Sequence, residues 1–496
     1  MICGMKAAAP LVLAGTSLLV LAAIVTDALP WLRGPAPYPP EWRWAGRPGG
    51  PAGSLMPATA VAIAILGLIA LSEAWRRRLG PRWAARALLI AVSVGGLGIG
   101  IALLGRDSPD PLWAMRQRAK SFSITSYHTL AVSDEARDPR AFLEAHAALL
   151  PVLVARAPHA ATHPPGPVLW YRAALALCEW SPRLTGALLS VSAAPVPEEQ
   201  RNEVRAGRAS ALLGALGLAV LSVLTVWPLA RLGEGLGLAP VAAARTAAVL
   251  TLLPGPALFA GSLDAALALP AAAAATWLLD ALRSPSRAGA GAAAIAAGVC
   301  ERVALFGSYG AGAFLAVACL AVVAAEGGDR CPPGRAAAIS LGAATVAALL
   351  AFGLPSLLGH DPLRALRTAL ALHRTEYTAP RGYALWLAFN PLDFALFAGL
   401  PVALVALGRA RESLRRAGRR RSDPLDRFRI VTLAGIALLV ASGLTRGEVG
   451  RIWIPLVPLL LLASATTDED ASPVEGLLPA TLGAAFTLAI GGSWSV

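Results

Sequence analysis

The chain has 496 residues and a formal net charge of +13, from 43 Lys and Arg residues against 30 Asp and Glu residues. Only 15% of the residues are charged and the mean hydropathy is +0.61, whereas about a quarter of a soluble domain is charged. This composition excludes an ordinary soluble domain and predicts an all-α, polytopic membrane protein. The positive charge lies in short connectors between apolar runs, so we expect no nucleic-acid partner. The five cysteines lack C-x-x-C spacing, which argues against a disulfide framework or a zinc site.

Apolar runs long enough to cross a bilayer recur along the chain. A helix rises about 1.5 Å per residue, so about 20 apolar residues cross the hydrocarbon. The first run follows Lys6, and without a clear cleavage site we expect a retained span rather than a signal peptide. The sequence predicts about 13 spans, at residues 7–26, 57–71, 87–104, 211–229, 242–259, 263–282, 288–305, 310–325, 336–358, 384–407, 430–444, 452–463 and 477–490.

Basic connectors orient these spans. They lie at residues 76–86, 283–287 and 409–429, and positive charge favours the cytoplasmic side of the cell membrane. The segment 31–44 between the first two spans is then outside. Its prolines and aromatic residues are typical of an interfacial anchor; a lid over a lipid substrate is the alternative.

A long polar insert interrupts the apolar chain at residues 105–171. It holds seven Lys and Arg residues, six Asp and Glu residues and four of the six histidines. In a membrane protein, such a loop is where water-phase chemistry can occur. The sequence therefore predicts N-terminal transmembrane helices at 1–104, a large extracytoplasmic acidic loop with short interfacial helices at 105–180, and a transmembrane helical bundle at 181–496. The segment 163–180 within the loop is either re-entrant or juxtamembrane.

Four aspartates of this loop are candidate catalytic residues. Asp107 and Asp110 directly follow the third span, where a carboxylate can take a proton from an acceptor hydroxyl beside a lipid-borne substrate. Asp134 and Asp138 precede a short amphipathic helix. The alternative is structural, because D-S-P-D-P is typical of a helix-ending turn and Asp138 before Pro139 is typical of an N-cap. Clustered carboxylates also allow a divalent metal, which no motif requires, so no cofactor is assigned.

The motif T-H-P-P-G-P at residues 162–167 fixes the backbone where an apolar helix begins. It places His163 at a defined depth, with Tyr171 one or two turns later. Together with the acidic loop, this motif resembles the C-type integral-membrane glycosyltransferases, which include protein O-mannosyltransferases and lipid A aminoarabinose transferases. The resemblance covers mainly residues 103–180. The matching residues are Asp107, Asp110, Asp134 or Asp138 in the loop, and His163, Pro164, Pro165 and Gly166 at the turn.

The resemblance implies a polyprenyl-phosphate-linked sugar as donor and transfer outside the cytoplasm. The acceptor hydroxyl could belong to a lipid, a glycan or a protein. The alternative is a transporter or flippase of a lipid-linked sugar, which would share the many spans but more often has internal repeats. A non-catalytic membrane scaffold is the third interpretation.

Later outer-side residues fit the same chemistry. Asp264 is an acid at the outer end of a span, where a charge is costly and therefore a functional candidate. Further candidate substrate-binding residues lie at 359–383 and 445–453, and are His373, Arg374, Tyr377, Arg381, Arg446, Glu448 and Arg451. The positive-inside rule disfavours arginine on the outer side of the membrane. A lipid phosphate or a mutual ion pair would explain why arginines occur there. We expect Arg446 and Arg451 to hold the departing phosphate while Asp110, ahead of Asp107, removes the acceptor proton, with His163 orienting the donor or the acid.

Overall fold

The computed structural model describes residues 2–47, 55–121, 125–192, 204–327, 331–419, 422–467 and 473–495, and nearly all of them are helical. The first thirteen helices are α1 (Ile2–Thr26), α2 (Met56–Leu79), α3 (Pro81–Leu104), α4 (Pro111–Lys120), α5 (Tyr127–Ala131), α6 (Pro139–Leu153), α7 (Pro158–Ala161), α8 (Gly166–Trp180), α9 (Pro182–Ser190), α10 (Arg205–Leu224), α11 (Val226–Gly235), α12 (Pro240–Val249) and α13 (Pro254–Leu258). The next thirteen are α14 (Leu263–Ala266), α15 (Ala268–Arg283), α16 (Arg287–Gly307), α17 (Ala311–Glu326), α18 (Pro333–Ala348), α19 (Leu354–Leu357), α20 (Pro362–His373), α21 (Tyr383–Phe397), α22 (Leu400–Gly418), α23 (Pro424–Ser442), α24 (Val449–Ile452), α25 (Val457–Ser464) and α26 (Pro473–Ser493).

Four of these helices begin at an Asp-Pro step. Asp110, Asp138, Asp361 and Asp423 each precede the first residue of a helix, and each side chain accepts a hydrogen bond from a backbone N–H of the first turn. The aspartate satisfies an N–H that would lack a helical partner, while proline supplies a helical φ at the first position. Asp-Pro is therefore this chain's recurrent device for starting a helix.

The number of spans differs from the sequence prediction. Among the described residues seven helices are long and apolar enough to cross a membrane, or eight if the bent pair α21 and α22 forms one broken span. The expectation of an all-α membrane protein is confirmed in that coarse form, and the expectation of about 13 spans is wrong. The seven are Met56–Leu79, Pro81–Leu104, Arg205–Gly235, Leu263–Arg283, Arg287–Gly307, Pro333–Leu357 and Gly476–Ser493.

Local breaks explain the lower number. The apolar run 242–259 is divided by Pro254 into α12, a 3₁₀ turn and α13. Proline has no backbone N–H, so it cannot donate the hydrogen bond that would continue the helix. The run 452–463 forms a 3₁₀ turn and the short α25. The helices α21 and α22 meet at an angle of 111°, at Gly399 with φ +86°. Hydropathy counts all of these as single apolar runs.

The helix ends form two polar faces. On the first, strand β1 (Ala45–Gly46) pairs antiparallel with strand β2 (Trp494–Ser495), so the segment after α1 meets the end of the chain. On the second, arginines pair with acids of neighbouring helices: Arg245 with Glu73 at 3.1 Å, Arg231 with Asp280 at 2.9 Å and Arg283 with Glu326 at 2.5 Å; Arg429 pairs with Asp426 of its own helix at 3.0 Å. We call these the strand face and the arginine face.

Candidate functional site

Two carboxylates and two guanidinium groups meet on the strand face. The Arg451 side chain lies between Asp264, at 3.4 Å from Nε to Oδ2, and Glu448, at 2.8 Å from Nη2 to Oε2. Glu448 also lies 3.6 Å from Nη2 of Arg381. The side chains of Arg451, Glu448 and Asp264 are only 9%, 16% and 20% exposed. We call Asp264, Arg381, Glu448 and Arg451 the charged cluster.

The hairpin between α23 and α25 is held in an unusual backbone conformation. Glu448 has φ +60°, in the left-handed region, and the preceding Gly447 has φ +91°. A non-glycine residue in that region is strained, and such strain is maintained only where the surroundings impose it. Helix α21 does so, because Asn390 Oδ1 accepts a hydrogen bond from Gly447 N at 3.2 Å and Asp393 Oδ2 accepts one from Gly450 N at 2.9 Å. The turn thereby directs Glu448 towards Arg451 and Arg381.

Histidine and tyrosine side chains surround the charged cluster. His163 donates through Nδ1–H to the carbonyl oxygen of His159 at 2.7 Å, because a carbonyl oxygen only accepts. The ring of Tyr127 stands edge-on to His163, with centroids 5.5 Å apart. The ring of His373 lies 5.8 Å from that of Tyr377. Burial, with a smaller effect of His159, lowers the pKa of His163 to about 3, so its imidazole is neutral at physiological pH.

Within the charged cluster, Glu448 and Arg451 keep their charges. Burial acts to raise the pKa of Glu448, but Arg451, His159 and Arg381 outweigh it, and the pKa lies below its usual value. Burial acts to lower the pKa of Arg451, yet Glu448 and Asp264 raise it above the usual range. Glu448 is therefore an anion and Arg451 a cation in the folded protein. A buried pair of this kind is costly to break, because the remaining charge would have no compensation.

Arg446 joins the hairpin to the turn that follows α20. Its Nη1 donates to the carbonyl oxygens of Thr378 at 3.1 Å and Arg381 at 2.6 Å, and its guanidinium lies 5.4 Å from the centroid of the Tyr383 ring. Arg381 in turn donates to the carbonyl oxygen of Arg446. Arg374, at the start of the same turn, is exposed to solvent. Residues expected to bind substrate in two separate loops are thus adjacent in space.

Three of the four predicted catalytic aspartates, Asp107, Asp110 and Asp138, have structural partners. Asp110 caps α4 through Leu112 N and Trp113 N, both at 3.0 Å, and accepts a hydrogen bond from Ser192 Oγ at 2.9 Å. Asp138 caps α6. A catalytic role for either remains a prediction, and the geometry matches the structural alternative.

Asp107 and Asp134 are also near the surface of this loop. Asp107 forms ion pairs with Arg118, at 3.0 Å, and with Arg47. Asp134 is exposed in a 3₁₀ turn, Asp134–Ala136. Tyr171, by contrast, is buried between α8 and α10 against Gly214, where an added Cβ would lie 2.4 Å from the tyrosine ring. Its position explains why position 214 is glycine, and burial raises the pKa of its hydroxyl.

The sequence did not predict that the segment 31–44 holds this site in place. Glu41 accepts hydrogen bonds from Gly382 N at 2.8 Å and from Trp386 Nε1 at 2.6 Å. Trp44 Nε1 donates to Asp393 Oδ1 at 2.8 Å. The expected interfacial anchor or lid is therefore packed into the protein at these two residues. An acid within the apolar run 384–407 was the available signal for Asp393, by the argument applied to Asp264.

In the part of the chain that the structure describes, no group of three or more His, Cys, Asp or Glu side chains is arranged to hold a metal ion.

Comparisons with models of protein families, with curated proteins and with solved structures find no match. What the fold defines is the class: a helical protein with several helices long and apolar enough to cross a membrane, and with a partly buried charged cluster on one polar face. The similarity to C-type glycosyltransferases consequently depends on the loop motifs alone.

Proposed function

We propose that this chain is a membrane glycosyltransferase that moves a sugar from a polyprenyl-phosphate donor to an acceptor hydroxyl outside the cytoplasm, and that the charged cluster is its site. The supporting observation is the pair of carboxylates, Asp264 and Glu448, fixed on either side of Arg451 in a partly buried position. Charged groups in such surroundings act more strongly than in water. A neutral imidazole, His163, lies beside them.

Asp264 is the better candidate for the base. Its carboxylate makes a single long contact of 3.4 Å with Arg451, whereas Glu448 is held by two arginines. Asp264 takes the proton of the acceptor hydroxyl as that oxygen attacks the anomeric carbon. The bond between the sugar and the phosphate oxygen breaks, and the lipid phosphate leaves with the electron pair. Arg446 is the cation available to the phosphate.

The test is transfer of radiolabelled sugar from a panel of polyprenyl-phosphate donors to cell-envelope acceptors by the full chain in nanodiscs. Asp264→Asn keeps the shape and removes the base, so we expect the rate to fall by about 100-fold or more. Glu448→Gln should lower it as well, because Arg451 and Arg381 lose their partner.

Glu234→Gln is the control, since this glutamate is exposed and lies outside both the charged cluster and the acidic loop; it should leave the rate unchanged. Full activity of Asp264→Asn would exclude Asp264 as the base. Loss of activity in a correctly folded Asp110→Asn variant would instead assign the role of the base to Asp110 of the acidic loop.

A transporter or flippase of a lipid-linked sugar is the second candidate, because α21 and α22 form a span broken at 111°. Interrupted helices of this kind line substrate sites in many transporters. In the same nanodisc or in vesicles, movement of the label across the bilayer without a change in its attachment would favour this candidate. A new sugar–acceptor bond would favour the transferase.

A further inference from the structure

Helix α20 lies where a membrane span ends. The candidate span Pro333–Leu357 stops shortly before it, and Gly359, with φ +81°, turns the chain between them. Leu357 and Leu358 at the end of the span are exposed, as lipid-facing residues would be. A helix that directly follows a span lies at the level of the bilayer surface. Helix α20 is on the same face as the charged cluster, because its last residue, His373, is followed by the turn that leads to Arg381.

The two sides of α20 differ in what they contact. Ala365 and Ala369 are buried against Ala147 and Leu150 of α6. This contact fixes the helix on the protein and determines which side faces outward.

The outward side combines leucines with arginines. Leu363 and Leu370 are 51% and 55% exposed, and Arg367 and Arg374 are exposed as well. The four positions follow one another at spacings of four, three and four residues, which places them on one stripe of a helix. Arg364, also exposed, lies beside this stripe.

These arginines differ from the four ion-paired arginines of the arginine face. Among the described residues no carboxylate lies within ion-pair distance of Arg364, Arg367 or Arg374, whereas Arg231, Arg245, Arg283 and Arg429 each have one. Cations on the strand face also contradict the usual distribution of charge if that face is outside. Their exposed guanidinium groups are therefore open to an anionic partner outside the described chain.

We propose that the outward side of α20 docks on the phosphate groups of anionic phospholipids in the leaflet around it. The leucines enter the boundary of the acyl chains, and the guanidinium groups bind phosphate oxygens bidentately. Exposed leucine beside exposed arginine matches the boundary between acyl chains and head groups, and neither bulk water nor an acidic protein surface offers both. Docking also fixes the depth in the membrane of the turn after α20, and therefore the depth of Arg381. The proposal does not depend on the charged cluster being catalytic.

The experiment is hydrogen–deuterium exchange of the full chain in nanodiscs of phosphatidylcholine, with or without phosphatidylglycerol. We expect exchange of the α20 amides to slow by about tenfold or more when phosphatidylglycerol is present, because each of the three arginines gains attraction to anionic lipid. The combined variant Arg364→Gln, Arg367→Gln, Arg374→Gln should lose this difference. The matched control Arg411→Gln, Arg415→Gln, Arg419→Gln removes exposed arginines of the other face and should retain it.

A charge-reversed variant keeps the test decisive if the glutamine variant is unstable. With Arg364→Glu, Arg367→Glu and Arg374→Glu, protection of α20 should return in nanodiscs that contain a cationic lipid. Two further arms add inorganic phosphate or polyprenyl phosphate to phosphatidylcholine nanodiscs. Equal protection in either arm would mean a general phosphate site or a donor site and would overturn the proposal, as would α20 exchange that is insensitive to phosphatidylglycerol.

Discussion

The imidazole of His146 is buried between α6 and the start of α20. Its ring centroid lies 5.3 Å from that of His360 and 5.5 Å from that of Phe142. Burial, together with the nearby His360, lowers the pKa of His146 to about 3, against about 6.5 for an unfolded histidine. As the pH falls below that unfolded value, the unfolded chain binds a proton that the folded chain does not. The folded state therefore loses stability progressively between the two pKa values.

His146→Phe should reduce this sensitivity to acid. At about pH 5, protonation of the unfolded imidazole lowers the free energy of unfolding of the natural protein by about 2 kcal/mol, and the variant lacks this loss. The measurement is the thermal melting point in detergent at about pH 7.5 and about pH 5. The difference in melting point between the two proteins at the higher pH gives the effect of the substitution apart from protonation. An equal drop in both proteins would show that His146 does not contribute.

For individual residues, the sequence predicted local contacts and not contacts between distant parts of the chain. The Asp-Pro steps at Asp110 and Asp138 were recognisable as helix caps because capping depends only on neighbouring residues. The contact between Asp264 and Arg451 could not be derived, because spacing along the chain carries no information about which hairpin meets which helix. Both residues were nevertheless selected, since a charge beside the lipid requires a partner.

At the scale of elements, residues 30–47 stabilise several parts of the molecule through hydrogen bonds. Glu41 holds the turn before α21, and Trp44 holds Asp393, which also accepts the N–H of Gly450. Composition indicated an aromatic segment at the membrane surface, and it could not distinguish an exposed tryptophan from a buried one. Trp31 is 50% exposed and Trp44 only 5%.

Trp44→Phe should destabilise the protein more than Trp31→Phe. The first change leaves a buried carboxylate without one of its donors, which costs about 1–3 kcal/mol, while the second removes an exposed indole. Unfolding in denaturant, or the melting point in detergent, compares the two variants directly. Equal effects would mean that the bond to Asp393 contributes little.

At the scale of the whole molecule, the two polar faces define the orientation. Arg77 is exposed on the turn at the end of α2, and Glu376 is exposed on the strand face. If positive charge sets the orientation, the Glu376 side is extracytoplasmic. A cysteine replacing Glu376 should then react with a membrane-impermeant maleimide in intact cells, and a cysteine replacing Arg77 only after permeabilisation.

The unsubstituted protein reports the background from the natural cysteines. Labelling in the reverse order would place the charged cluster in the cytoplasm and contradict the proposed transfer outside it. The class of fold was predictable because composition alone determines it. The number of spans was not, because hydropathy does not register where proline or glycine divides an apolar run.

The bond between Trp44 and Asp393 joins residues 349 positions apart, and Asp264 likewise precedes its partner Arg451 by a long stretch of chain. Translation is sequential and the early parts of a chain fold first. Asp264 therefore leaves the ribosome and inserts while Arg451 has yet to be made. The charged cluster closes only when synthesis is almost finished, so a chain interrupted before residue 445 would present an uncompensated carboxylate at the lipid boundary.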